Sequence, residues 1–431
     1  MNSVRHRGYI YKLAALFLSL IFIAGCSGKN PIESVVNKEE QLKGNMEILC
    51  TNETKSNIEY AVQLFKGKNP QVNIKISIIG ESGIDNDFKA RDAADEDYPD
   101  LLEINTSQIP VLLDKYPGMF LELDNDIKKI GDKFLHWKLD EVTFNKNVYA
   151  YPWDSAPKVM LYNKDLAHKY GIEPGDIKTW EDYRKYGVKL VSMTSGKIKL
   201  IPLKESMNGS LFTYMMRQLK TPLYKDTGSI ELPKTESLKA LTSIKGLYDN
   251  KLIYELKDNE DALNIFTSGQ VLSIIAGVSD VKKVNENKNN SQKWQVEKIP
   301  AFENGGKDAL CGEGKGFMVI KKEAQNEVVS KFMKFMLTDS ECTIFAFKNS
   351  GIITSVPELY SLPLFNEVSD NFPGKRIWRF MAEEVKEENA VTYYPSHDKV
   401  IKSLIQMESD VISGKNAADV INLKQEELNK P

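Results

Sequence analysis

Histidine and cysteine are scarce, four of each in 431 residues. His6, His136, His168 and His397 are dispersed and no Cys/His pair has metal-ligand spacing, so no metal site is expected. Neither G-x-S-x-G nor H-E-x-x-H occurs. S-x-x-K strings begin at Ser279 and Ser396 and an S-D-N triplet at Ser369, but the K-T-G that would complete a serine-nucleophile set is missing, and chance accounts for them. The glycines between 310 and 320 fit neither G-x-G-x-x-G nor the phosphate-loop pattern, since no Ser or Thr follows Lys315. They suit a strand that has to bend. Without a nucleophile–base pair, a metal cluster or a nucleotide loop, neither catalysis nor a cofactor is expected.

Also missing is an apolar run long enough to cross a bilayer, which takes about 20 residues. The run from 13 to 24, broken only by Ser19, is shorter, follows Arg5, Arg7 and Lys12, and ends in Ile23-Ala24-Gly25-Cys26. This is the pattern of a secretory signal, residues 1–25, and its end resembles the bacterial lipobox, in which the cysteine is acylated and becomes the new N-terminus. Cys26 is therefore expected to anchor the protein on the extracytoplasmic face of the cell membrane, each buried methylene contributing about 0.8 kcal/mol. Residues 26–45, polar and weakly periodic, read as a tether. Loss of the signal takes the formal net charge from −3 to −6, because three basic and no acidic residues go with it. That balance argues against a nucleic-acid partner and keeps the surface off anionic headgroups. Cys50, Cys311 and Cys342 remain, an odd number that cannot all pair. Three small buried apolar side chains are the favoured reading, with a Cys50–Cys311 bridge as the alternative.

The rest has the makings of two or three domains, with 42% hydrophobic and 27% charged residues. Residues 46–50 read as a strand, and Ile58, Ala61, Val62 and Phe65 share one helix face. Val72, Ile74, Ile76 and Ile78 alternate as a half-buried strand, and 99–105 gives another. Strands separated by helices imply a mostly parallel sheet covered on both faces, with ligands beyond the strands' carboxyl ends, which places Glu53 and Asn105 near a cleft. Trp137 reads as a core residue. Val328, Val329, Phe332, Met333 and Met336 mark a later helix face.

The most informative stretch is 147–183. Val159, Met160, Leu161 and Tyr162 form a continuous apolar run of strand length, entered through Tyr-Pro-Trp-Asp and followed by Asn163-Lys164-Asp165, a Gly171 stop and the helix start Thr179-Trp180-Glu181-Asp182. This order resembles the extracellular solute-binding proteins of ABC importers, in the sugar-binding family that includes maltose-binding protein. The "YxxP", "YNKD" and "TW-(D/E)-(D/E)" strings are matched by Tyr149 to Pro152, Tyr162 to Asp165 and Thr179 to Asp182. Looser likenesses continue through Phe266-Thr-Ser-Gly269, the glycines after Leu310, Phe332 to Glu341, and Gly414 with Ala417. Where family members follow a strand with Gly and a sugar-stacking aromatic, this chain has Gly277-Val278-Ser279.

The resemblance implies an α/β, two-lobed type II periplasmic-binding-protein-like fold, each lobe a mixed, mostly parallel sheet flanked by helices, with three crossover connections. It places residues 46–152 and 275–316 in the first lobe and 153–274 and 317–431 in the second. It implies a monomer that binds a solute, foremost a carbohydrate, and closes by a hinge for the membrane subunits of an ABC permease. A polyamine, peptide or organophosphate ligand, or a role in presenting ligand to a membrane sensor, are the alternatives. A sugar wants an aromatic platform with converging polar groups. The candidate contacts are Trp153 with Asp154, Arg376 with Trp378, Tyr393 with Tyr394, the loop acids Glu53 and Glu313, Asn105, and Phe212 after the 208–210 loop.

Overall fold

The computed structural model describes residues 41–80, 83–204, 211–225, 228–287, 293–322 and 327–430. The expected signal, Cys26 and most of the tether lie outside the described residues, as does the 208–210 loop. Residues 42–430 fold together.

The first lobe is built on a five-stranded sheet in the order Gln71–Ile78, Lys43–Cys50, Leu101–Asn105, Lys315–Val319, Ala150–Pro152. The first three strands run parallel, and Lys315–Val319 is antiparallel to both of its neighbours. The first strand begins at Lys43, so the expected tether is shorter by its last three residues. Side chains along these strands alternate between two cores, as a two-residue repeat requires. Ile48, Leu101, Tyr151 and Phe317 face one core, and Leu49, Leu102, Ala150 and Met318 the other. The helix Lys55–Lys68 covers the first core with Ile58, Ala61, Val62 and Phe65, the stripe expected from their spacing.

The second lobe centres on Val159–Asn163. Its first four side chains are fully buried, as the apolar run implied. Met160 and Tyr162 enter one core, Val159 and Leu161 the other, and each such burial is worth about 1.5–3 kcal/mol. The flanking strands, Ser273–Ala276 and Trp294–Glu297, are both antiparallel to it. The same lobe contains a parallel pair, Ile201–Leu203 with Ile253–Glu255. The helix Trp180–Met193 opens with the capping box read from Thr179 and Asp182: Thr179 Oγ1 accepts from Asp182 N at 3.0 Å, and Asp182 Oδ2 from Thr179 N at 3.1 Å.

The crossing points differ from the expected boundaries. Trp294–Glu297 pairs with the second-lobe strand Val159–Asn163, so most of 275–316 belongs with that lobe and not the first. Conversely Lys315–Val319 enters the first sheet, and the helices Glu327–Thr338 and Ser340–Ser350 pack over it, Phe332 meeting Phe65 edge-on at 5.4 Å. The chain passes between lobes after Pro152, near Cys311 and again beyond Ser350. The stripe of Val328, Phe332 and Met336 announces a buried helix face, yet nothing in a stripe specifies which sheet receives it. The three described cysteines are buried and free.

Candidate functional site

The connections between lobes meet at 152–157, 311–316 and 350–355, where Asp154–Ser155 pairs with Ile353–Thr354. Glycine allows the close approach. A Cβ on Gly316 would stand 2.9 Å from the Tyr151 carbonyl, and one on Gly314 would overlap Lys138 Nζ and the Asp154 carbonyl.

Beside this crossing lies a cavity of about 360 Å³ with walls from both lobes. Glu53, Thr54 and Ser350 come from the first lobe, Gly277, Val278 and Ser279 from the second, and Asp154, Lys158 and Lys315 from the connections and their edges. The first-lobe contribution follows from the parallel strands, whose carboxyl ends deliver residues 51–54 to the cleft. Below them Glu103, 1% exposed, accepts from Thr51 N at 2.8 Å, Thr54 Oγ1 at 2.5 Å and Lys315 Nζ at 3.1 Å. Burial alone would lower the Lys315 pKa, but Glu103, Asp154 and Glu53 outweigh it and hold the ammonium above its ordinary range. Asp154 accepts a hydrogen bond from Lys315 N. Its pKa is raised, burial prevailing over the nearby Lys138 and Lys315.

A second polar group sits behind it. Lys138 Nζ and Glu141 Oε2 pair at 2.9 Å with almost no exposure. Arg217 donates to the Cys311 carbonyl at 2.6 Å and to Tyr393 Oη at 3.3 Å. Burial would lower its pKa, and Tyr393, Glu141 and Glu313 more than restore it. Glu313 Oε1 lies 3.4 Å from His397 Nε2. Burial would raise the Glu313 pKa, but His397 and Arg217 hold it below the ordinary carboxylate range. The first-lobe turn Thr106–Gln108 meets this group, Gln108 Nε2 donating to Asp398 Oδ1 at 3.0 Å.

Of the residues singled out from sequence, Asp154 and Glu53 line the inter-lobe cavity, Glu53 with its side chain 86% exposed. Glu313 and Tyr393 belong to the Arg217 group, and Tyr394 lies against Tyr224 nearby, the rings 4.6 Å apart and tilted by 36°. Trp153 is a correction. Its indole is buried in the first-lobe core against Phe317, 5.1 Å between rings, and faces Met336, Leu337 and Cys342. It shares the parity of Tyr151, which already points into that core. Phe212 is fully buried in the second lobe. Trp378 packs edge-on against Phe347 at 5.0 Å, and Arg376 stands exposed at the start of the same helix, Ile377–Lys386, with no capping bond from its side chain. Asn105 ends its strand exposed and lines neither this cavity nor the one beside Tyr394. Glu103, Lys138, Glu141, Arg217, Lys315 and His397 also stand here, and no sequence motif marks them as a group. Glu103 was detectable as a carboxylate inside an apolar strand. Lys138 and Glu141, three apart on a helix, look like any solvated pair.

Two α/β lobes joined by three crossings, with polar side chains converging between them, have the architecture of a solute receptor. The chain belongs to the bacterial extracellular solute-binding protein family, whose model matches residues 51–341. It is 22% identical over 340 residues to the lactose-binding protein of Rhizobium radiobacter, covering 77% of this chain and 79% of that protein. Identity to the arabinooligosaccharide-binding protein of Halalkalibacterium halodurans is 22% over 312 residues, 69% of this chain and 68% of the relative. The sugar-binding protein MalE from Xanthomonas citri has the same fold, with a TM-score of 0.75 at 14% identity over 89% of this chain and 96% of that one. Among the described residues no helix is long and apolar enough to cross a membrane.

Proposed function

We propose that this protein captures a carbohydrate in the inter-lobe cavity and presents it, chemically unaltered, to the membrane subunits of an ABC importer. The observation that carries the reading is the cavity itself, bounded by both lobes and lined by Asp154, Glu53, Lys158, Lys315 and Ser279. Two carboxylates face two ammonium groups there, a balance that suits a neutral polyol; a polyamine wants an excess of negative charge. Each group offers or accepts hydrogen bonds that a ring of hydroxyls satisfies without bringing charge of its own. Relatives that bind lactose and arabinooligosaccharides support the same class.

A solute touching Glu53 on one lobe and Ser279 on the other favours the closed form by its differential affinity for it. The receptor acts as a monomer held by acyl chains on Cys26. A thermal-shift screen of the purified folded region over sugars, polyamines and peptides tests the solute, since a true ligand raises Tm by mass action. Stabilisation by a polyamine or peptide and by no sugar rejects the carbohydrate. For the anchor, Cys26→Ala is expected to release the protein from the membrane fraction, and retention overturns it.

A further inference from the structure

A second cavity, about 260 Å³, lies in the second lobe, and its lining is cationic. Arg217, Lys220 and Lys307 stand there against one carboxylate, that of Glu388. Lys307 and Glu388 answer each other as an ion pair, both side chains under a tenth exposed. Glu388 also accepts from Cys311 N at 2.5 Å and Asn389 N at 2.9 Å, which leaves it nothing for the other two cations. Lys220 is exposed and has no ion pair among the described residues. Arg217 is only partly exposed, and its two hydrogen bonds, 2.6 Å to the Cys311 carbonyl and 3.3 Å to Tyr393 Oη, go to neutral acceptors. The carboxylates around it are engaged elsewhere, Glu141 with Lys138 and Glu313 facing His397. A charge drawn away from water is ordinarily paired, so an unpaired guanidinium at the wall of a cavity points to an anion as its occupant.

His397 narrows the chemistry. It lines the same cavity at 4% exposure, its Nε2 lies 3.4 Å from Glu313 Oε1, and its Nδ1 has no hydrogen-bond partner. A carboxylate accepts only, so Nε2 carries the hydrogen, and Nδ1 of the neutral ring is a lone pair suited to a hydroxyl donor. Tyr393 stands between the two groups, its hydroxyl accepting from Arg217 and its ring meeting His397 edge-on at 4.9 Å. The planar fork of a guanidinium fits a carboxylate or a phosphate through two parallel bonds. Met216, Leu223 and Ile401 add apolar wall, which a carbon skeleton covers and a bare inorganic ion does not. The volume falls below the roughly 300–1,000 Å³ usual for a drug-sized ligand, so that skeleton is small.

We propose that this second-lobe cavity binds a small hydroxycarboxylate, its carboxylate on Arg217, its hydroxyl donating to His397 Nδ1, and the Lys220 ammonium adding attraction at the rim. The inference stands apart from the carbohydrate reading, since its test contains no sugar and its failure leaves that reading untouched. The test is titration calorimetry of the protein with lactate, propionate and inorganic phosphate, at one ionic strength held with sodium chloride. Lactate is expected to bind at least about fivefold more tightly than propionate, which differs only in lacking the hydroxyl, the step that one hydrogen bond supplies. Inorganic phosphate is expected to bind more weakly than lactate. Lys220→Glu, at an exposed position that leaves the fold intact, should weaken lactate by about fivefold or more. Arg217→Gln should weaken it by at least about tenfold, and His397→Phe should make lactate and propionate bind alike. No heat from lactate beyond dilution, equal affinity for lactate and propionate in the native protein, tighter binding of phosphate, or a lactate affinity unmoved by Lys220→Glu overturns the proposal.

Discussion

Trp153 and Asp154 are neighbours in the chain and face opposite ways. The indole packs on Phe317 in the first-lobe core, while the carboxylate lines the inter-lobe cavity and accepts from Lys315 N. The strand repeat separates the two roles, so substitutions one residue apart should divide stability from binding. Trp153→Ala is expected to cost about 3–5 kcal/mol in urea unfolding, as truncating a buried aromatic does. The milder Trp153→Phe should leave solute affinity unchanged. Asp154→Ala should weaken solute binding by about tenfold or more in calorimetry. Reversed effects would place the indole in the site after all.

The buried pair of Lys138 and Glu141 gives a second prediction. Both are almost completely excluded from water, and their 2.9 Å contact offsets a large desolvation cost. Lys138→Met strands the Glu141 carboxylate and is expected to destabilise by about 3–5 kcal/mol. Lys138→Met combined with Glu141→Leu removes both charges and should recover most of the loss, measured by denaturant unfolding. A double variant as unstable as the sum of the single ones would show that the two act independently.

The sequence made the lobes legible where periodicity decides the structure. The fully buried run of Val159, Met160, Leu161 and Tyr162 and the Thr179 capping box are dictated by local pattern, and both stand where the pattern put them. What it did not yield is which sheet receives a segment. Trp294–Glu297 and the helix Glu327–Thr338 exchanged lobes relative to expectation, because an apolar face is satisfied by any core of matching shape. The candidate site suffered for a similar reason. Trp153, Phe212 and Trp378 are large aromatics, and large aromatics go to cores as readily as to clefts. Glu103 and Arg217 were the better signals, charges set among apolar neighbours in a strand and a helix.

Acid should loosen the first lobe through Glu47. Burial would raise its pKa, but Arg91 at 2.7 Å and Ser77 at 2.6 Å outweigh it and hold the carboxyl at about 2, below its ordinary 4.5. A carboxyl whose folded-state pKa is depressed contributes stability that is fully present above pH 4.5 and lost as pH falls toward about 2. Thermal unfolding of the native protein should therefore show Tm falling through that window, and Glu47→Gln should flatten the fall. An unchanged slope in the variant would assign the acid sensitivity to other carboxylates.

The contact of Gln108 with Asp398 ties the first-lobe turn to the start of the second-lobe helix His397–Ile412. It exists only when the lobes are together, so it contributes to the closed form and nothing to an open one. Being exposed, it is worth about 0.2–1 kcal/mol, by analogy with exposed ion pairs. Removing it lowers the closed fraction, and apparent affinity falls by that same fraction. Asp398→Ala is thus expected to weaken solute binding by up to about fivefold, with a larger radius of gyration by small-angle scattering and no change in unfolding midpoint beyond about 1 kcal/mol. Gln108→Ala should do the same, and the two together no more than either alone, because each breaks the same contact. Additive losses in the double variant would mean that the residues bind separate partners and that the hinge is held elsewhere.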